Sequence, residues 1–302
     1  MAAKWLTRLD IAPRWGQSPL PVNRTGNGVQ MPKFDMGAAW DDTVVLLKSH
    51  SALTGIIVAV FLFLPTLAFG WLGPDPIEPP ADATFDQILM LMRESVQQAV
   101  GFQLLVSLLG MIGGMAVLRL WLSRAGTSVG EALVFAVKML PTMIAIQFLL
   151  GLCAALIAVL SLMPALAAGS SAIGIFLAFV GVSFLIGLLA YLWGRLSIIS
   201  PVVADQVVYN PFAAIQHSWR LTRHNGWRVF LFLLLVVVVI LVAALIAYLI
   251  ISVLPGADDG VGRFLKGVVD GGFTAAVGFV LLAVTAATYR QLAMRGGREV
   301  FA

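Results

Sequence analysis

From Met139 to Gly194 the chain carries no charged side chain. A helix crossing about 30 Å of hydrocarbon needs about 20 apolar residues, because each unpaired backbone group in lipid costs several kcal/mol. The run is too long for one crossing, and Met163, Pro164 and the small-residue patch Ala167 to Ser171 interrupt it, so it reads as a helical hairpin. Ala52 to Leu72 is also uncharged, as is Ser95 to Leu118, whose apolar part begins near Phe102. Val229 to Leu254 is the most apolar stretch and ends at Pro255 and Gly256; Gly271 to Thr288 follows a short polar loop. The expected fold class is therefore all-α: a polytopic membrane protein with six transmembrane helices.

Composition excludes the main alternatives. Hydrophobic residues make up 60% of the chain and charged ones 11%, against roughly 25% charged in soluble domains. Disorder requires the opposite balance. The single cysteine, Cys153, rules out an internal disulfide and a cysteine-based zinc cluster. The net charge of +4 sits in short loops between apolar runs, which points to an acidic membrane surface and not to nucleic acid.

Charge also sets the orientation. Of the 19 Lys and Arg residues, only Arg93, Arg263 and Lys266 fall on one side of the alternating crossings, so the positive-inside rule places both termini in the cytoplasm. The acidic loop from Gly73 to Gly101, with Asp75, Glu78, Asp82, Asp86 and Glu94, fits the outer side. Met1 to Asp42 lacks the apolar core of a secretory signal, so the first crossing is expected to direct insertion. The expected organisation is a flexible cytoplasmic tail over 1–34, a transmembrane domain over 35–292 and a short cytoplasmic tail over 293–302.

Each entry from the cytoplasm is preceded by an amphipathic stretch, expected to form an interfacial helix before crossings 1, 3 and 5. Asn210 can cap a helix whose first position suits Pro211 and whose end suits Asn225-Gly226, giving a helix over 211–224 with Phe212, Ile215 and Trp219 on one face. Ser128 and Glu131 form an S-x-x-E capping box, with Lys138 and Pro141 marking passage into the bilayer. Asp35 is the third cap, ahead of Ala39, Trp40, Val44, Val45 and Leu47. The starts at Asp35, Ser128 and Asn210 suggest three parallel two-helix repeats.

Small residues suggest packing lines: Gly110 and Gly114 in the second crossing; Gly187, Ala190 and Gly194 in the fourth; Gly272 and Ala276, then Ala283 and Ala287, in the sixth. On this basis crossings two, four and six are expected to form the inner layer. Ionisable residues within the hydrocarbon would flag a proton relay or ion pathway, and almost none occur. Asp270 stands at the start of the sixth crossing, and Gln147, Ser107, Ser161, Ser183, Thr274 and Thr285 are the polar residues elsewhere. His50, His217 and His224 read as surface residues without metal-ligand spacing. No cofactor or nucleotide motif occurs, and a sequon at Asn23-Arg24-Thr25 would go unused in a cytoplasmic tail. The candidate headgroup contacts are Arg195, Arg220, Arg223 and Arg228 with Trp219 and Trp227, since guanidinium matches phosphate and indole favours the interface. The competing explanation is that these side chains only snorkel and fix orientation.

The segment Arg195-Leu196-Ser197 to Pro201, the stretch from Asn210-Pro211-Phe212 to Arg223, and Trp227-Arg228 together resemble the membrane domain fused to some bacterial glycerophosphoryl diester phosphodiesterases. Val129 to Leu133 and Leu62 to Pro65 are similar to it too. The resemblance covers about Asp35 to Leu292 and implies a stand-alone member in the bacterial inner membrane, without the His-Arg-Gly barrel that performs hydrolysis in the fused enzymes. The expectation is a non-enzymatic module that contacts membrane lipids, with anionic headgroups on the cytoplasmic side, or that serves as a scaffold for an unidentified protein partner. The alternative is a transporter carrying a lipid or amphiphile through a groove between helices.

Overall fold

The computed structural model describes residues 34–49, 51–74, 80, 82–123, 126–169, 171–252 and 260–298. Most of the N-terminal tail, the sequon, His50, Asp75, Glu78, Pro255 and Gly256 lie outside them. Six helical segments are long and apolar enough to cross a membrane: Ser51–Leu72, Asp86–Leu122, Val129–Ala168, Ala172–Gln206, Gly226–Leu249 and Gly260–Ala293. No strand occurs among the described residues.

The expected helix starts are all capped. Helix α1, Met36–Lys48, begins at Asp35, whose Oδ1 accepts the amides of Gly37 at 3.0 Å and Ala38 at 3.2 Å. Crossing one comprises α2 (Ser51–Val58), a π-helical turn (Ala59–Phe63) and α3 (Leu64–Leu72). Pro65 explains that turn, since it has no N–H for the preceding carbonyls. Instead the Leu64 amide reaches back to the Ala59 carbonyl, and the Thr66 hydroxyl donates to the Leu62 carbonyl at 2.8 Å.

Helix α4 (Phe85–Leu122, 38 residues) forms crossing two, and α5 (Val129–Ala168, 40 residues) forms crossing three. The Ser128–Glu131 box is present at the start of α5: Ser128 N–H donates to Glu131 Oε2 at 2.9 Å, and Glu131 N–H to Ser128 Oγ at 3.3 Å. Here the amphipathic stretch is continuous with its crossing, because no glycine follows it and Pro141 is accommodated inside the helix. At 1.5 Å per residue α5 is about 60 Å long, so part of it extends beyond the hydrocarbon. The hairpin turns at Gly169, whose φ of 60° an ordinary side chain resists.

Helix α6 (Ala172–Leu196) leads into α7 (Ile199–Gln206), a short element with Val202, Val203 and Ala204 fully buried. Then α8 (Pro211–Thr222), capped by Asn210, stops two residues short of His224. Crossing five is α9 (Gly226–Ser252), and α10 (Gly260–Arg298) supplies crossing six, starting well before Gly271 and continuing past Leu292.

The inner layer differs from the expectation. In the most apolar stretch of crossings two and six 28% of residues are buried, against 11% in crossing four and 22% in crossing five. Crossing four is peripheral, held between α5 and α9. Its stripe does not pack as a line: Gly187 is exposed and Ala190 half-buried, while a methyl at Gly194 would lie 2.8 Å from Phe230 Cβ. Tightest is the α5–α6 hairpin, where a methyl at Gly181 would run into the Ser161 carbonyl; further close approaches join crossing one to two and six. A methyl at Gly113 would lie 2.5 Å from Phe61 Cβ, one at Gly278 2.8 Å from Leu62 Cδ2, and one at Gly271 3.2 Å from the Leu67 nitrogen. Of the expected packing residues in the sixth crossing, Gly272 only reaches Phe63 at 4.0 Å and Ala276 is exposed. Small residues permit contact without selecting the partner, which is why the stripe alone misplaced crossing four.

Candidate functional site

A groove of about 960 Å³ lies between α4 and α5, closed at one side by Leu282 of α10 and at one end by Ser200 of α7. Its α4 wall runs from Leu104 to Leu118, about 20 Å of helix at 1.5 Å per residue. Gly110 and Gly114 help shape it. A methyl at Gly110 would meet nothing within 4 Å, and one at Gly114 would sit 3.4 Å from Leu282 Cδ2. Gly110 therefore opens the groove and does not join two helices. Met111, Met115 and Met143 add flexible apolar surface, and Ser107, Gln147 and Ser200 are its polar members; none of the lining residues is charged. The volume falls within the range of small-molecule pockets, about 300–1,000 Å³. Thr142 steadies the α5 wall by donating to the Tyr209 carbonyl at 3.0 Å.

One end of the groove rests on α7, and a polar network fixes that helix. Arg119 Nη1 donates to the Ala204 carbonyl at 2.7 Å while its guanidinium lies 4.7 Å from the Phe135 ring centre. Tyr289, 1% exposed, donates its hydroxyl to Asp205 Oδ2 at 2.6 Å and accepts from Gln206 Nε2 at 3.3 Å. His217 Nδ1 is 2.7 Å from Gln206 Oε1, which ties α8 to the network. Burial, and then the nearby Arg220 charge, hold the His217 pKa below its ordinary value. Reading the sequence missed α7 and this network. The available signal was Asp205, a lone carboxylate following a stretch from Ile198 to Ala204 that is apolar except for Ser200.

The six candidate headgroup residues divide into two environments. Arg220, Arg223, Arg228 and Trp227 are exposed, and Trp219 is partly so at 38%. Arg195 is not a surface residue: it is 4% exposed, its guanidinium carbon 4.3 Å from the Trp219 ring centre and 5.8 Å from that of Tyr191. Its carbonyl accepts Ser218 Oγ at 3.0 Å and Thr222 Oγ1 at 3.1 Å, joining α6 to α8. The side chain is buried because α8 folds back across the end of crossing four, a packing that spacing along the chain does not disclose. Among the described residues no group of His, Cys, Asp and Glu could hold a metal ion.

Six apolar crossings define a multi-pass membrane protein. No family model, curated protein or solved structure matches the chain.

Proposed function

We propose that the protein is a non-enzymatic lipid-binding module of the bacterial inner membrane, accommodating the acyl chain of an amphiphile in the groove between α4 and α5. The observation that carries this reading is the groove itself: apolar, uncharged and of ligand size, with Gly110 leaving its wall open. Ser107, Gln147 and Ser200 supply hydrogen-bonding groups for an ester or hydroxyl on an otherwise greasy ligand. The termini face the cytoplasm by charge distribution, so exposed Arg220, Arg223 and Arg228 on and beside α8 meet the anionic leaflet. Membership of the phosphodiesterase-linked membrane-domain family belongs to this proposal and is supported by the Arg195 to Pro201 and Asn210 to Arg223 segments.

The test is photo-crosslinking with a lipid carrying a diazirine in its acyl chain, followed by mapping of the adduct. Label is expected on α4 and α5 around Gly110 and Ile144, and Gly110→Phe should reduce it about tenfold while the protein stays folded. Label spread evenly over all six crossings would remove the groove as a site.

Lipid transfer is the second reading, favoured by the groove's length along α4, about two-thirds of the hydrocarbon thickness. Reconstituted liposomes with a fluorescent lipid in one leaflet separate the two, because a static binder leaves the leaflet asymmetry intact.

A further inference from the structure

The wall of the groove between α4 and α5 carries one amide side chain, Gln147, which is exposed and makes no hydrogen bond among the described residues. Ser107 on the facing wall is exposed and unpaired as well. Elsewhere in the crossings hydroxyls turn onto the carbonyl one turn back, as those of Thr66, Ser161, Thr285 and Thr288 do at 2.7 to 2.9 Å. A serine can take that refuge. A glutamine amide brings two donors and an acceptor that its own helix leaves unengaged, and in hydrocarbon an unengaged amide is costly.

Depth narrows what can answer it. Lys138 and Arg119 mark one edge of the hydrocarbon, and at 1.5 Å per residue Gln147 lies about 14 Å along α5 from the first and Ser107 about 18 Å along α4 from the second. Both therefore stand near the middle of a layer about 30 Å thick, whichever side that edge faces. The groove is shut toward Lys138 and Arg119, where Leu118 is buried and Ser200 of α7 closes it, and it is open at the level of exposed Leu104 and Phe148. The ester groups of a phospholipid sit at the hydrocarbon edge, so they miss Gln147 by about 14 Å from one leaflet and about 16 Å from the other. Drawing a charged headgroup down to that depth is costly, and no lining residue carries a charge to offset it.

Given the groove binding proposed above, on which this step rests, we infer that the ligand is a neutral long-chain lipid whose hydroxyl or carbonyl meets the Gln147 amide in the middle of the membrane. Ser107 supplies a second hydrogen-bonding group, and the tail runs past Gly110 toward the shut end, against Met111 and Met143.

The test uses the full chain in phospholipid-free detergent micelles containing the diazirine lipid. Octadecanol, octadecane and octadecyl phosphate, one chain with three different ends, compete for labelling of α4 and α5. Octadecanol should halve the label at a mole fraction about tenfold lower than either of the others. Gln147→Leu, at an exposed position that bonds nothing in the protein, should keep the label and erase that preference. Equal displacement by all three, or strongest displacement by octadecyl phosphate, overturns the neutral-lipid assignment and leaves chain binding in the groove standing; absence of label from α4 and α5 overturns both. A preference that survives Gln147→Leu overturns the assignment too. So does a dimer in micelles that Gln147→Leu dissociates, since the amide would then pair with a second copy.

Discussion

At the end of the bundle carrying α1, α7 and α8, side chains from most of the helices interlock: Leu118, Val202, Ala214, Ala287 and Tyr289 are almost fully buried, and hydrogen bonds link α4 to α7 and α7 to both α8 and α10. At the opposite end Met90, Leu166, Ile173, Tyr248 and Val261 are each more than 65% exposed. The same apolar residue types thus serve two solvents. At one end they exclude water by packing on each other; at the other they face hydrocarbon, where separating two helices costs far less than in water. Stability is concentrated at the capped end, and the other end is free to adapt to lipid.

The strongest way to break this contrast is a pair of substitutions one turn apart on α4. Gly113→Leu drives a side chain into Phe61 and Leu62 and should cost about 3 kcal/mol, seen as a lower unfolding midpoint in detergent. Gly110→Leu meets open space and should stay within about 0.5 kcal/mol of wild type. Equal losses would mean that the groove is packed. Tyr289→Phe should follow at about 2 kcal/mol, because Asp205 loses its buried donor. Asn210→Ala removes the oxygen that accepts the Phe212 amide at 2.9 Å and should cost about 1 kcal/mol, with loss of α8 protection in hydrogen exchange.

The smallest effect is a pH dependence. His217 titrates below its ordinary 6.5, so the unfolded chain binds more protons in that window and stability rises with pH there. The contribution is complete above 6.5 and is lost as acidification carries the pH down toward the depressed folded value. His217→Gln should flatten the unfolding midpoint between pH 5 and 7; an unchanged slope would place the sensitivity elsewhere.

What the sequence discloses follows from the range of each signal. The six crossings are legible because charge-free length is a local property, and Asp35, Ser128 and Asn210 are legible because a cap acts on the next three residues. Arg195 illustrates what is not: its position after Gly194 suits an interfacial contact, yet Trp219 and Gly226, far along the chain, determine that it is buried. The pairing of Gly113 with Phe61 is hidden likewise, since a glycine names no partner. Gly110, one turn away, looks identical in sequence and lines a groove.

The π-helical turn at Ala59–Phe63 acts as a swivel. One extra residue in the turn re-aims the side chains of the first rod, letting Phe61 seat on the second crossing, Phe63 on the sixth and Leu62 between the two. Deleting Val60 would restore a regular spiral and rotate everything beyond it by about 100°, so that one rod could no longer serve as hinge pin for both neighbours.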